Sequence, residues 1–341
     1  MTVEATLEAP TDTRRAARFS GEALTAMGLF ALSAGMVAAS PLISPALGSW
    51  SQIYTILLLV SFLLVISFGQ GLVILTGGLD LSVGSVMMLG GVLTTTWIGG
   101  DSATFWGVMP VVLAFGAGIG ALNGIGVAMV GIPPFIMTMG VGIVTASLAL
   151  GYTGGTTLGA APPPLLLLMK GDILGAPSVI VFVLLFCLVA WTLQSRTTFG
   201  RKVYAIGSSR RAARIAGVPI VSTTILVYAT SGLCATLSGA MLVGYSNGAT
   251  LRMGDPYLLP SIAAVVVGGS SILGGSGNFV NTICGALFLA TLESLIAASG
   301  LGQGWRTILS GLIIVGALLV QSGWISGVFA SVARRVRGAG G

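Results

Sequence analysis

Histidine is missing from this chain of 341 residues, and charge is scarce, at 7% of all side chains. The histidine-dependent metal motif HExxH is therefore absent. The three cysteines, Cys187, Cys234 and Cys284, stand apart inside apolar runs. That arrangement excludes a disulfide framework and a CxxC metal site and reads as buried thiols. Lysine occurs only as Lys170 and Lys202, neither after a glycine-rich turn. With no GxxxxGK[ST] phosphate loop, the chain cannot hydrolyse ATP by that route. Any energy source must be an ion gradient or another subunit. No bound cofactor is expected on this chain.

Apolar residues are abundant instead, at 55% of the chain, with a mean hydropathy of +1.01. A chain this poor in polar groups cannot cover a water-soluble globule, so lipid is its main solvent. A net charge of +6 would suggest nucleic acid in a soluble domain, but here the basic residues gather at Arg14–Arg18, Arg196–Arg214 and Arg334–Arg337. Clusters in short segments between spans mark the cytoplasmic side of a membrane protein, and no nucleic-acid partner is expected. Arg14, Arg15 and Arg18 precede a run near 23–43. Glu4, Glu8 and Asp12 also precede it, and the weak Ala38-Ala39-Ser40 cleavage pattern runs into Pro41. We read an uncleaved first anchor.

At about 20 residues per spanning helix, apolar runs fall near 23–43, 53–76, 81–99, 107–130, 134–155 and 177–194 before the central basic segment, and near 221–245, 257–273, 277–299 and 304–323 after it. The expected fold is an all-α polytopic membrane protein of about ten transmembrane helices. Ten crossings that begin inside return the chain to the inside at both later basic clusters. Residues 1–20 and 326–341 then form cytosolic tails, 21–325 a membrane domain, and 195–219 a cytosolic loop. Gly116, Gly120 and Gly124 make a smooth strip on one span, as Ala235 and Gly239 do on another. Intrachain packing is the favoured use of such strips.

A faint repeat relates the halves. Gly78-Leu79-Asp80, Asn123-Gly124 and a Pro/Gly break before Phe135 are matched, at similar intervals, by Gly254-Asp255-Pro256, Glu293-Ser294 and a break at 300–304 before Trp305. The first block of four spans starts outside and the second inside, an inverted repeat of the kind found in transporters, with the solute path between the halves. Gly77 and Gly78 free the backbone, and Asp80 is placed to cap the next helix through amides near Val83 while shaping a gate. Asn123 and Glu293 interrupt apolar spans, where a polar group needs a partner or a wet path. Glu293 could contact solute, relay protons or pair with Arg306. Gly77, Gly78, Asp80, Ser82, Asn123 and Glu293 are the candidate path or gate residues.

In the basic loop, Ser208-Ser209 can cap a helix of two turns over Arg210–Ala216, stopped by Gly217 and Pro219. Arg210 and Arg214 then share one face, and the small Ala213 and Ala216 leave a low neighbouring face suited to a groove. A solvated turn near anionic lipid is the plainer reading; the cap favours docking.

The longer words Leu75-Thr76-Gly77-Gly78-Leu79-Asp80-Leu81-Ser82-Val83-Gly84-Ser85, Pro133-Pro134-Phe135-Ile136-Met137-Thr138-Met139-Gly140, Thr198-Phe199-Gly200-Arg201-Lys202, Ala212-Ala213-Arg214-Ile215-Ala216-Gly217 and Gly268-Gly269-Ser270-Ser271-Ile272-Leu273-Gly274-Gly275 carry a resemblance. Through nearly all of residues 50–323 the chain resembles the permease subunits of bacterial monosaccharide ABC importers, the ribose, xylose, galactose and autoinducer-2 group. The resemblance implies a multi-pass inner-membrane subunit working with a second permease copy, identical or paralogous. It also implies a separate ABC ATPase, which holds ATP and Mg, and a periplasmic or lipid-anchored solute-binding protein. It makes the loop a coupling segment through Arg201, Ser209, Arg210, Arg211, Ala212, Ala213, Arg214 and Gly217. The chain departs from the family at Ser208-Ser209, where Gly-Asn is usual, at Arg211, where an acid is frequent, and at Glu293, where an Asn-Gly pair is usual. A branched-chain amino-acid or nucleoside ABC permease shares the architecture. A gradient-driven carrier is the rival of a different class.

Overall fold

The computed structural model describes residues 12–42, 48–156, 159–173, 175–298, 300 and 302–321. The C-terminal tail lies outside them, as do residues 1–11 of the N-terminal one. Residues 12–20 belong to α1 (Asp12–Ala39), so that helix begins ahead of the apolar run.

The first long hairpin segment is α2 (Trp50–Leu75), N-capped by Ser49, whose hydroxyl accepts from the Gln52 amide at 3.3 Å. It is apolar on all sides and buried over most of its length, as a helix enclosed by other helices must be. A turn then leads to α3 (Val83–Leu93), continued by a π-helical turn over Thr94–Ile98. Asp101 starts α4 (Ser102–Ile125) by accepting from the amides of Ala103 and Thr104 at 3.0 and 3.1 Å, and a second π turn extends α4 to Val130. After Pro133 comes α5 (Pro134–Thr153).

Between α5 and the next span the chain forms α6 (Pro163–Lys170) and a two-stranded hairpin, β1 (Asp172–Ile173) with β2 (Ala176–Pro177). The remaining elements are α7 (Ser178–Ser195), α8 (Thr198–Ser208), α9 (Arg210–Ile215), α10 (Ile220–Ser246), α11 (Asp255–Val267), α12 (Phe279–Ala298) and α13 (Gln303–Gln321).

Among the described residues, seven helices are long and apolar enough to cross a membrane, and Val83–Ile98 and Asp255–Val267 are shorter apolar ones. The runs at 81–99 and 257–273 thus contain short helices where full spans were expected. In the second, the glycines at 268, 269, 274 and 275 end the helix early. Gly274 and Gly275 take positive φ values of 89° and 74°, which a turn requires and a helix forbids.

The two halves share the order long, short, long, long: α2 to α5, then α10 to α13. They are also interlocked. α10 packs on α2, α3 and α4, while α2 packs on α10, α11 and α12. Each block's first helix therefore lies against the other block's second and third. Within each block the short helix contacts the fourth, α3 with α5 and α11 with α13.

Glycine makes the closest of these contacts possible. A Cβ on Gly120 would strike the Tyr228 carbonyl, and one on Gly124 would meet the Ile225 Cα at 2.6 Å. The strip Gly116, Gly120, Gly124 is thus the seat of α10. Gly239 likewise abuts the Met87 carbonyl of α3. Both strips serve intrachain packing.

Candidate functional site

The turn between α2 and α3 brings several sequence candidates together. Gly77 adopts φ +78°, and at Gly78 an added Cβ would lie 2.5 Å from the Tyr228 hydroxyl. The backbone can then fold Asp80 back into the bundle, where it is 1% exposed. One carboxylate oxygen of Asp80 accepts from the Ser82 amide at 3.0 Å and the Ser82 hydroxyl at 2.6 Å. The other accepts from Ser231 of α10 at 2.8 Å. Asn123 of α4 donates through Nδ2 to the Ser82 hydroxyl at 2.9 Å.

Asp80, Ser82, Asn123 and Ser231 thus tie α3, α4 and α10 in one buried cluster. The expected cap near Val83 takes a different form: Asp80 closes a short turn on Ser82, and the first residues of α3 have no side-chain cap. Ser231 was not singled out in the sequence. It shares a face with Thr224 and Tyr228, at helical spacing of four and then three, and that periodicity was the available signal.

The same turn touches the basic segment. The Leu75 carbonyl accepts from the Gly275 amide at 3.0 Å, and a Cβ on Gly207 would clash with that carbonyl. The Tyr204 hydroxyl of α8 donates to the Gly277 carbonyl at 2.7 Å and accepts from Gln194 of α7 at 2.8 Å. The ends of α2, α7, α8 and α11 therefore meet at one end of the bundle, the basic end.

The loop beyond them is two helices rather than one. Ser209 caps α9 by accepting from the Ala212 amide at 3.2 Å. At the far end Gly217, with φ +74°, bonds back to Arg214 at 3.1 Å and Val218 to Ala213 at 2.9 Å, a double closure of the last turn. Six residues remain between, fewer than the two turns expected. Arg201, Arg210, Arg211, Ala212, Arg214 and Gly217 are exposed. Ala213 is 3% exposed and packs inward, so it anchors α9 and offers no face to a partner. The apolar side chain presented outward is instead Ile215, 81% exposed. Arg210 and Arg214 line a cavity of about 270 Å³ together with Ala128 and Thr224. The Thr224 and Tyr228 hydroxyls and the Asn123 carbonyl oxygen are buried and make no hydrogen bond among the described residues.

Glu293 lies elsewhere. It is half-buried on α12 and lines a cleft of about 630 Å³ at the opposite end from the basic loop, with Gln52, Thr250, Tyr257 and Ser294. Gln52 donates to the Ser294 hydroxyl at 2.6 Å, joining α2 to α12 beside it. The side chain of Arg306, the pairing considered from sequence, lies outside the described residues. Arg252 and Asp255, at the start of α11, form an exposed ion pair at 2.7 Å. Arg252 was not among the sequence candidates, and Asp255 served only as a landmark of the repeat. Among the described residues no group of acidic or cysteine side chains could hold a metal ion.

A profile of the family described as branched-chain amino acid transport system / permease component matches residues 52–318. The chain belongs to this family of transport permeases. It is a multi-pass inner-membrane protein and a transport subunit. It is 32% identical over 291 residues to the ribose import permease protein RbsC of Escherichia coli (strain K12), covering 84% of this chain and 90% of that one. Similarity to the fructose import permease protein FrcC of Rhizobium meliloti is 34% over 280 residues, 78% and 76% of the two chains. The autoinducer 2 import system permease protein LsrD of Photorhabdus laumondii is 30% identical over 268 residues, 76% and 79%. No solved structure matches. The family and these relatives bear out the resemblance seen in the sequence.

Proposed function

We propose that this permease carries a monosaccharide or similar polyol-like solute into the cytoplasm as the membrane subunit of an ATP-driven ABC importer. The observation that carries the solute class is the extended similarity to sugar import permeases, which covers three quarters or more of each chain. The family description also names branched-chain amino acids, and that is the second reading. Cells lacking their own ribose, fructose and leucine importers, given this chain with its ATPase and binding protein, should take up sugar and no leucine. Leucine uptake alone would favour the second reading.

The drive comes from a partner. This chain has no phosphate loop, so ATP and Mg belong on a separate ATPase, and no cofactor is needed here. The basic end, with both termini, faces the cytoplasm by the charge rule. There α9 offers Arg210, Arg211, Arg214 and Ile215 to the ATPase, held rigid by the Ser209 cap and the Gly217 closure. A solute-binding protein meets the opposite face. A second permease copy and lipid cover the exposed apolar side chains of α5, among them Ile143 and Leu148, 62% and 64% exposed.

Movement of α9 has a short way into the membrane. Thr224, Tyr228 and Ser231 run along one face of α10 from the Arg210 cavity to Asp80. ATP-driven displacement of α9 shifts α10 against α3 and α4, which breaks or remakes the Asp80 cluster and so works the inner gate. Reversing the charge of Arg210 and Arg214 should reduce solute-stimulated ATP hydrolysis and uptake at least about tenfold, the equivalent of about 1.4 kcal/mol of coupling. Full activity in that double variant would remove the docking assignment.

A further inference from the structure

We propose that the cavity between α9 and the start of α10 is a binding site for a phosphate group. Six basic residues lie from Arg196 to Arg214, yet no Asp or Glu occurs between Asp172 and Asp255. The segment brings no counter-charge of its own. Among the described residues no carboxylate pairs with Arg210 or Arg214, and Asp80, the acid of the neighbouring cluster, has both oxygens occupied by serine donors.

Three kinds of donor meet at this cavity of about 270 Å³. Arg210 and Arg214, one turn apart on α9, both line it. So do Ile220 and Val221 in the first turn of α10, a helix of 27 residues whose positive end lies here. Pro219 at the cap position makes no side-chain bond, and the amide that returns to its carbonyl is that of Thr223, at 3.0 Å. The amides of Ile220, Val221 and Ser222 are thus unpaired among the described residues, as a helix start leaves them. The independent sign of a ligand is Thr224. Its side chain lines the same cavity, it is 1% exposed, and its hydroxyl makes no hydrogen bond among the described residues. A helical threonine commonly returns its hydroxyl to the backbone one turn earlier, as Thr230 does to Leu226 at 2.8 Å. Thr224 does not.

Guanidinium forks, a hydroxyl and first-turn amides are the donors that hold a tetrahedral oxyanion. No acidic side chain lines the cavity to oppose it. A phosphate between Arg210 and Arg214 also relieves the repulsion among the three arginines of the six-residue α9. The docking face stays clear, because Arg211 and Ile215 lie about 100° further round the helix and neither lines the cavity. α9 then has two faces with separate tasks, an anion on one and the ATPase on the other. Free phosphate and the headgroup of an anionic lipid present the same group, and the test separates them.

The test reads amide exchange at Ile220–Ser222 in the full chain. With the chain delipidated in neutral detergent, sodium phosphate at about three times its dissociation constant should slow exchange there about fourfold, relative to sodium chloride of equal ionic strength. In nanodiscs without free phosphate, phosphatidylglycerol is compared with phosphatidylcholine. Slowing in the first arm assigns free phosphate as a ligand; slowing in the second alone assigns a lipid headgroup. Arg210→Gln together with Arg214→Gln should abolish the effect. Thr224→Val should weaken binding about tenfold or more, as loss of a hydrogen bond to a charged group does. The site is overturned if neither phosphate nor phosphatidylglycerol slows exchange beyond its control, or if either variant binds as tightly as the native chain. Slowing that appears only when the ATPase is added also overturns it, since the arginines then serve docking alone. The native arms stand whatever the variants do to folding.

Discussion

Asp80 shows how much a single side chain can order. Its carboxylate gathers a backbone amide and two serine hydroxyls from α10 and the α2–α3 turn, all away from water. A hydrogen bond to a charged group contributes about 1.5–3 kcal/mol. Ser231→Ala should therefore lower stability by about that amount, seen as a drop in the detergent melting temperature. Asp80→Ala should cost more, because it leaves Ser82 and Ser231 without their acceptor. A wild-type melting temperature for Ser231→Ala would show that the bond is not made. At the other end of the bundle, the Thr104 hydroxyl holds the Asp101 carboxyl below its ordinary value, helped by the amides of Ala103 and Thr104. A carboxyl with a lowered folded value stabilises above its unfolded value and loses that contribution as pH falls through the folded one. The native chain should lose melting temperature on acidification below about pH 4, and Asp101→Asn should lose less over the same range. Equal slopes would show that this cap does not report on folding.

Among elements, α10 connects the most, because it touches both the Asp80 cluster and the basic loop. Its closeness to α4 depends on Gly120, where a Cβ meets the Tyr228 carbonyl, whereas Gly118 has open space around it. Gly118→Ala should be neutral or stabilise by up to about 1 kcal/mol through helix propensity. Gly120→Ala should lower the yield of folded protein, and equal yields would contradict this packing. On α9, Ser209→Ala should cost about 1 kcal/mol of local helix stability, read as faster amide exchange over Ala212–Arg214 with α10 unchanged.

These elements also show what the sequence could and could not reveal. Asp80 and Asn123 were legible because polar residues in an apolar run demand a partner. Their meeting through Ser82 followed from the glycine turn. Ser231 was not, since a serine hydroxyl can bond to its own helix backbone and so sits in an apolar span without a visible cost, and Tyr228 reads as one more aromatic side chain of the core. The length of α11 was misread because a hydropathy window cannot separate a helix from the apolar turn that follows. α6 was missed for the opposite reason: eight residues after a proline run give too short a pattern to count.

At the scale of the whole molecule, two interlocked halves with opposite orientation set a sealed cluster at the basic end and an open cleft at the other. On the proposed reading, alternating access works between these two ends. On the proposed reading the motor lies outside this chain, on an ATPase that takes hold of the exposed arginines of α9. The claim is tested most directly by solute uptake into proteoliposomes that hold this chain alone, or this chain with its ATPase, binding protein and internal ATP. The account predicts uptake only in the second, lost when ATP is withheld. Gradient-driven uptake by the chain alone would contradict it.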